Sequence, residues 1–132
     1  IFDYRVISGS PVKLDNPEIE AKIGMVAFNS LTVRVFNLKT LEDICEDYGQ
    51  VAVYNGGIAE SPHAFVLDDH HVFAAHKPKL VCGNTASMIQ NSRYAKYFTV
   101  FGDRTRHFGT FDCSTGEATV SHNVQDTAGG CC

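Results

Sequence analysis

No apolar run in this 132-residue chain approaches the roughly 20 residues that a membrane-crossing helix requires. A spanning helix is excluded, and with it a membrane partner of that kind. A secretory leader is not expected, because Ile1-Phe2-Asp3-Tyr4-Arg5-Val6-Ile7 is a strand-like run with charges inside it. There is no initiator methionine, so the start is expected to be internal or processed, as in a domain of a longer protein. Positive charge is in short supply: 11 basic residues face 15 acidic ones, for a formal charge of −4. Phosphate binding needs a concentrated basic face, which argues against nucleic acid as the main partner. The nearest approach to such a face is Arg104 with Arg106 and His107, expected on a solvated loop. No CxxC pair occurs, which argues against a zinc ribbon or a thioredoxin-like site. GxGxxG, Walker and HExxH motifs are absent, and no spacing ties a nucleophile to a histidine and an acid. A self-sufficient catalytic site is therefore not expected.

What is present suits one globular domain, with 44% hydrophobic and 20% charged residues. A strand is expected from Phe2 to Ser8, ended by Gly9-Ser10-Pro11. Asn16 then caps a short helix with Pro17 at its first position and Gly24 at its end. From Met25 to Leu38 the residues alternate, with Val26, Phe28, Ser30, Thr32, Arg34 and Phe36 on one face. Leu31, Val33 and Val35 make an apolar opposite face, as in a long strand. Residues 39–49 have room for one helical turn. Gln50–Tyr54 reads as a strand turned over by Asn55-Gly56-Gly57, with its partner around Ala64–Leu67. Val72–Ala74 continues an antiparallel meander after Asp68-Asp69-His70-His71. Lys79–Gly83 leads into a helix capped by Asn84-Thr85, which buries Ala86, Met88 and Ile89. Phe98–Phe101 reads as a further strand. The expected fold is α+β, mainly antiparallel sheet with two or three short helices. Residues 1–113 form the domain, and 114–132 a disordered, cysteine-ended tail.

The candidate ligands are cysteines and one acidic–histidine cluster. Cys45, Cys82, Cys113, Cys131 and Cys132 are odd in number and widely spaced, a pattern of reduced thiols in a cytosolic protein rather than of a disulfide framework. Cys45 lies among Glu42, Asp43, Glu46 and Asp47, carboxylates that disfavour a thiolate. Cys82 precedes a helix start, where the dipole favours one; packing at a strand end is the alternative. Cys131 and Cys132 are adjacent thiols on an Ala-Gly-Gly arm, suited to a soft, thiol-seeking ion or a disulfide partner. A tail that simply ends there is the plainer reading. Of Asp68-Asp69-His70-His71, only Asp68 with His70, or Asp69 with His71, share a face for a metal if the segment is a strand. A hydrogen-bonded turn is the alternative.

Five blocks stand out: Cys45-Glu46-Asp47-Tyr48-Gly49-Gln50-Val51-Ala52, Asn55-Gly56-Gly57-Ile58, Leu67-Asp68-Asp69-His70-His71, Val81-Cys82-Gly83-Asn84-Thr85-Ala86 and Ala128-Gly129-Gly130-Cys131-Cys132. Together they resemble the carboxyl-terminal region of arsenite methyltransferases of eukaryotic and algal type. The resemblance implies a parent enzyme that methylates trivalent arsenic with S-adenosylmethionine. It implies an upstream cofactor domain as partner, with most of the arsenic-binding cysteines before Ile1. This chain then needs no cofactor of its own, is inactive alone, and contributes to the arsenic side through Cys45, Cys82, Cys131 and Cys132. The alternative is a thiol-based arsenic- or metal-binding module, or a docking module, without catalysis.

Overall fold

The computed structural model describes residues 2–115, an α+β arrangement built mainly from antiparallel strands. The tail from 116 onward, with Cys131 and Cys132, lies outside the described residues. Strand β1 (Phe2–Val12) and strand β2 (Phe28–Asn37) pair antiparallel as a long ribbon. β1 does not end at Gly9-Ser10-Pro11 as expected; Pro11 faces Asn29, and the register slips between Val6 and Ser8. A two-stranded ribbon has open edges, so a proline there costs no ladder bond that a central strand would need.

Helix α1 (Pro17–Ile23) spans the connection. As expected, the Asn16 side chain accepts the Glu18 and Ile19 N–H groups, and Gly24 takes a positive φ of 66° at the end. None of its residues is buried.

The ribbon reverses the usual amphipathic rule. The purely apolar row of β2 points outward, leaving Leu31, Val33 and Val35 at 62%, 47% and 60% exposure, with Tyr4 beside Val35 at 66%. The mixed row faces the body only at its end, with Phe28, Ser30 and Thr32 exposed: Phe36 is buried, and Arg34 donates to the carbonyls of Val66 and Leu67. Its guanidinium also lies 5.3 and 5.1 Å from the Phe65 and Tyr94 ring centres. A cation over aromatic faces packs its apolar surroundings while its charge is neutralised by ring and carbonyl dipoles.

Strand β3 (Gln50–Tyr54) does not pair with the run after Gly57. It is central to a second sheet, between the later strands Lys79–Val81 and Phe98–Phe101, antiparallel to both. The run after Gly57 instead gives β4 (Ala64–Val66), which pairs with β5 (Val72–Ala74) across the 67–71 turn. The strands at β3's two edges are β6 (Lys79–Val81) and β7 (Phe98–Phe101). Asn55 donates its backbone N–H to the Tyr97 carbonyl, which carries the contact with β7 one residue past Tyr54.

Helix α2 (Gly83–Gln90) follows β6 directly and buries Gly83 through Ile89. Its cap is the sulfur of Cys82, which accepts the Thr85 N–H, rather than the expected Asn84-Thr85. The core gathers Leu67, Met88, Ile89 and an aromatic group of Tyr54, Phe65, Phe73 and Phe98. No helix among the described residues is long and apolar enough to cross a membrane.

Candidate functional site

The amino end of α2 is wrapped by two irregular segments, 41–48 and 104–113. No helical turn forms in the first. Its backbone is instead used up in tertiary hydrogen bonds, which satisfy buried polar groups as well as a helix would. Gly83 N–H donates to the Glu46 carbonyl, Phe111 N–H to that of Cys45, and Asp47 N–H to that of Gly109, at 2.8–2.9 Å. Asn84 closes the junction from both sides: its Oδ1 accepts the Glu42 N–H and its Nδ2 donates to the Glu42 carbonyl, both at 2.8 Å.

This stitching brings three sulfurs from distant parts of the chain together. Cys45 comes from the first wrapping segment, Cys82 from the cap of α2, and Cys113 from the end of the second. Their Sγ atoms lie within 4.8 Å of one another, and they are the only potential metal-binding group of three His, Cys, Asp or Glu among the described residues. Cys45 and Cys82 are buried and Cys113 is half-buried, with Phe111 packed against them. Sequence reasoning assigned Cys45 and Cys82 as ligands but not Cys113, the last residue of the expected domain. Sixty-eight residues separate Cys45 from Cys113 (113 − 45), and nothing in that spacing announces their meeting. Cys131 and Cys132 lie outside the described residues. Cys45 and Cys82 are thiols as expected, whereas Cys113 is disulfide-bonded, which corrects the expectation of reduced cysteines throughout. Which sulfurs meet is a matter of folding, not of spacing.

The Cys82 thiol is unusually acidic. A hydrogen bond with Cys45 does most to lower its pKa from 9.0 to about 6. Burial opposes the shift, while the Thr85 hydroxyl and backbone N–H add to it. The expected influence of a helix start is thus local, delivered through the Thr85 N–H 3.4 Å away. The carboxylates flanking Cys45 in sequence have other partners: Glu46 meets His107 at 2.5 Å, and Glu42 accepts the Tyr48 hydroxyl at 2.6 Å.

Tyr48 and Arg104 brace this corner. Arg104 donates to the carbonyls of Thr40 and Gly83 and to Ser87 Oγ, and its guanidinium lies 5.3 Å from the Tyr48 ring centre. It is therefore a tie between segments, not merely part of the solvated loop expected. Gly83 allows the ring to close: a Cβ there would stand 2.7 Å from Tyr48 Cε2. Gly83→Ala is expected to cost about 1–3 kcal/mol, because the ring is held by Glu42, by Arg104 and by the His107 ring, so the overpacked contact has little room to relax. Urea denaturation checks this; an unchanged midpoint would show that Tyr48 moves aside without cost.

Asp68-Asp69-His70-His71 forms a hydrogen-bonded turn. Asp68 Oδ1 accepts both the His70 and His71 N–H groups and meets His71 Nδ1 at 2.7 Å. Asp69 pairs with His70 across the exposed side at 3.6 Å. Both pairings differ from those an extended strand would impose: the turn brings Asp68 and His71 together as residues i and i+3, and it leaves the adjacent Asp69 and His70 on one side. The buried Asp68 is committed to Arg5 as well, at 2.8 Å, and supplies no open ligand set.

A model of the arsenite methyltransferase C-terminal domain matches residues 47–132. The chain is 39% identical over 130 residues to an arsenite methyltransferase of Aquipseudomonas alcaligenes, covering 98% of this chain and 38% of that protein. It is 26% identical to the human arsenite methyltransferase, covering 97% of this chain and 38% of that one. Among solved structures, an arsenic(III) S-adenosylmethionine methyltransferase from Chlamydomonas reinhardtii superposes with a TM-score of 0.75 at 46% identity. That match covers 83% of this chain and 37% of the algal protein. The chain thus spans less than two fifths of the length of each of these three relatives.

Proposed function

The chain belongs to the arsenite methyltransferase C-terminal domain family, and on that premise we propose that it is the carboxyl-terminal part of an enzyme that transfers methyl groups from S-adenosylmethionine to trivalent arsenic. The single observation that carries this reading is the family match over residues 47–132, reinforced by the 46% identity and TM-score of 0.75 to the algal enzyme. The geometry agrees with it. Trivalent arsenic is thiophilic, and soft thiolates are its proper ligands. This domain presents three clustered sulfurs, one of them on an acidic thiol.

The methyl donor does not fit the residues described. All named strand pairs are antiparallel. The strand-to-helix junction from β6 to α2, where a glycine loop could cradle a cofactor, has its glycine covered by the Tyr48 ring. S-adenosylmethionine is therefore assigned to the rest of the longer protein, and this domain to the arsenic side. The outward row of Tyr4, Leu31, Val33 and Val35 supports docking on that cofactor domain, since so much contiguous apolar surface marks an interaction face.

The reduced chain, given arsenite and S-adenosylmethionine, is expected to form no methylated arsenic. Chromatographic speciation of the products measures this. Adding the cofactor domain in trans is expected to produce association and turnover. Methylation by this chain alone would overturn the assignment of parts.

A further inference from the structure

We propose that Cys45, Cys82 and Cys113 form a three-thiolate site for trivalent arsenic within this domain itself, closed while Cys113 is held in a disulfide and opened by a dithiol. The proposal rests on the arsenic reading above and deepens it by naming a second place where the metalloid is held, apart from cysteines of the rest of the protein.

Geometry selects the ion. Sulfurs bound to one pyramidal centre by bonds of about 2.3 Å lie about 3.3–3.8 Å apart. Three Sγ atoms already within 4.8 Å can reach that spacing by side-chain rotation, closing by about 1–1.5 Å at most. The described part of the group is three sulfurs, with no histidine or carboxylate among them. Trivalent arsenic takes three thiolates in a pyramid and keeps its lone pair, so three ligands complete it. The surroundings are prepared for such a centre. Two of the sulfurs are buried beneath Phe111, and the half-buried Cys113 gives the site its side towards solvent.

The disulfide sets the order of events, since a sulfur bonded to another sulfur is no thiolate ligand. A dithiol gives two electrons and two protons to the Cys113 disulfide. The S–S bond breaks to two thiols, and the reductant closes to its own disulfide. Arsenous acid then exchanges its three hydroxyls for the sulfurs of Cys45, Cys82 and Cys113. Three As–O bonds and three S–H bonds break, three As–S bonds form, and three waters leave. Arsenic keeps its oxidation state throughout. A dithiol present in excess would also deliver arsenic by ligand exchange, so opening and loading use one class of reagent.

The test uses the full 132-residue chain, reduced with a phosphine that does not compete for arsenic, and titrated with arsenite under native mass spectrometry. A Cys131→Ser, Cys132→Ser background removes the adjacent pair as a rival binder. There the expected adduct adds one arsenic and loses three hydrogens. Adding Cys113→Ser is expected to leave an adduct that keeps one hydroxyl on arsenic, bound about tenfold or more weakly, because one intramolecular bond is lost. Circular dichroism checks that the variant is folded, and Cys45→Ser provides a second deletion if it is not. Unreduced wild-type chain is expected to bind more weakly at this site than reduced chain. A three-hydrogen adduct that survives Cys113→Ser, or no adduct in the tail background, would overturn the proposal. So would a zinc complex that outcompetes arsenite. A longer enzyme that methylates arsenite but forms no three-hydrogen adduct at this site would sink the inference alone, whereas failure of methylation in the reconstituted protein would sink the functional reading instead.

Discussion

Asp68→Asn is expected to destabilise the domain by about 3–5 kcal/mol, the range seen when one partner of a buried ion pair is removed. Asp68 is 1% exposed and Arg5 2%, and the pair meets at 2.8 Å. The neutral amide would leave the Arg5 charge buried, with Asp3 at 3.3 Å as its remaining acidic neighbour. It would also disturb the contact to His71 Nδ1 that closes the β4–β5 turn. Because Arg5 lies on β1, the loss would loosen the ribbon from the body as well. Urea denaturation of both proteins measures the cost. A loss below about 1 kcal/mol, the level of an ordinary substitution, would contradict this account.

The same carboxylate predicts an acid limit. Burial alone would raise its pKa, but the hydrogen bond and charge of His71, the His70 N–H and the Arg5 guanidinium together lower it from 3.8 to about 2. Between these values the unfolded chain binds more protons at this group than the folded one. The stability that Asp68 contributes is therefore complete above the ordinary carboxylate pKa and is lost as pH falls through about 2. The Asn variant should lack this component of the slope. Parallel wild-type and variant curves across that window would remove Asp68 as its source.

Phe98→Ala carries the other large effect, with an expected loss of about 3–5 kcal/mol from a buried aromatic truncation. Phe98 stands where the sheets meet. Its ring centre lies 5.2 Å from that of Tyr54, 5.7 Å from Phe65 and 5.1 Å edge-on from Phe73. Tyr54 and Phe98 belong to the three-stranded sheet, and Phe65 and Phe73 to the β4–β5 pair, so one cavity would weaken the link between them. Denaturation together with near-ultraviolet circular dichroism measures the change. Phe98→Leu should recover part of the loss by refilling some of the volume. Equal stability of Phe98→Ala and wild type would mean that the site collapses without cost.

Signals carried by neighbouring residues were legible from the start. The Asn16-Pro17 opening and Gly24 ending of α1 depend on local hydrogen bonds and φ preference. The β3 and β7 segments, and the buried residues Ala86, Met88 and Ile89 of α2, follow from local apolar patterning. Pairing was less legible, because the β-rich pattern of Gln50–Tyr54 says that it is a strand but not which edges it meets. Alternation along β2 revealed two faces correctly and could not say which turned inward. Arg34 takes the inner position because the Phe65 and Tyr94 rings and two carbonyls are there to receive it.

The candidate site divides the same way. Residue chemistry in the sequence established five cysteines, the absence of a cofactor loop and the blocks that resemble a methyltransferase carboxyl-terminal region. Tertiary structure alone decided that Cys113 joins Cys45 and Cys82, and that the sulfur of Cys82, rather than Asn84 or Thr85, caps α2. The physical reason is range. Caps, turns and strand alternation are set by atoms within a few residues, whereas a three-sulfur cluster is set by hydrogen bonds and packing that bring the 41–48 and 104–113 segments onto one helix end.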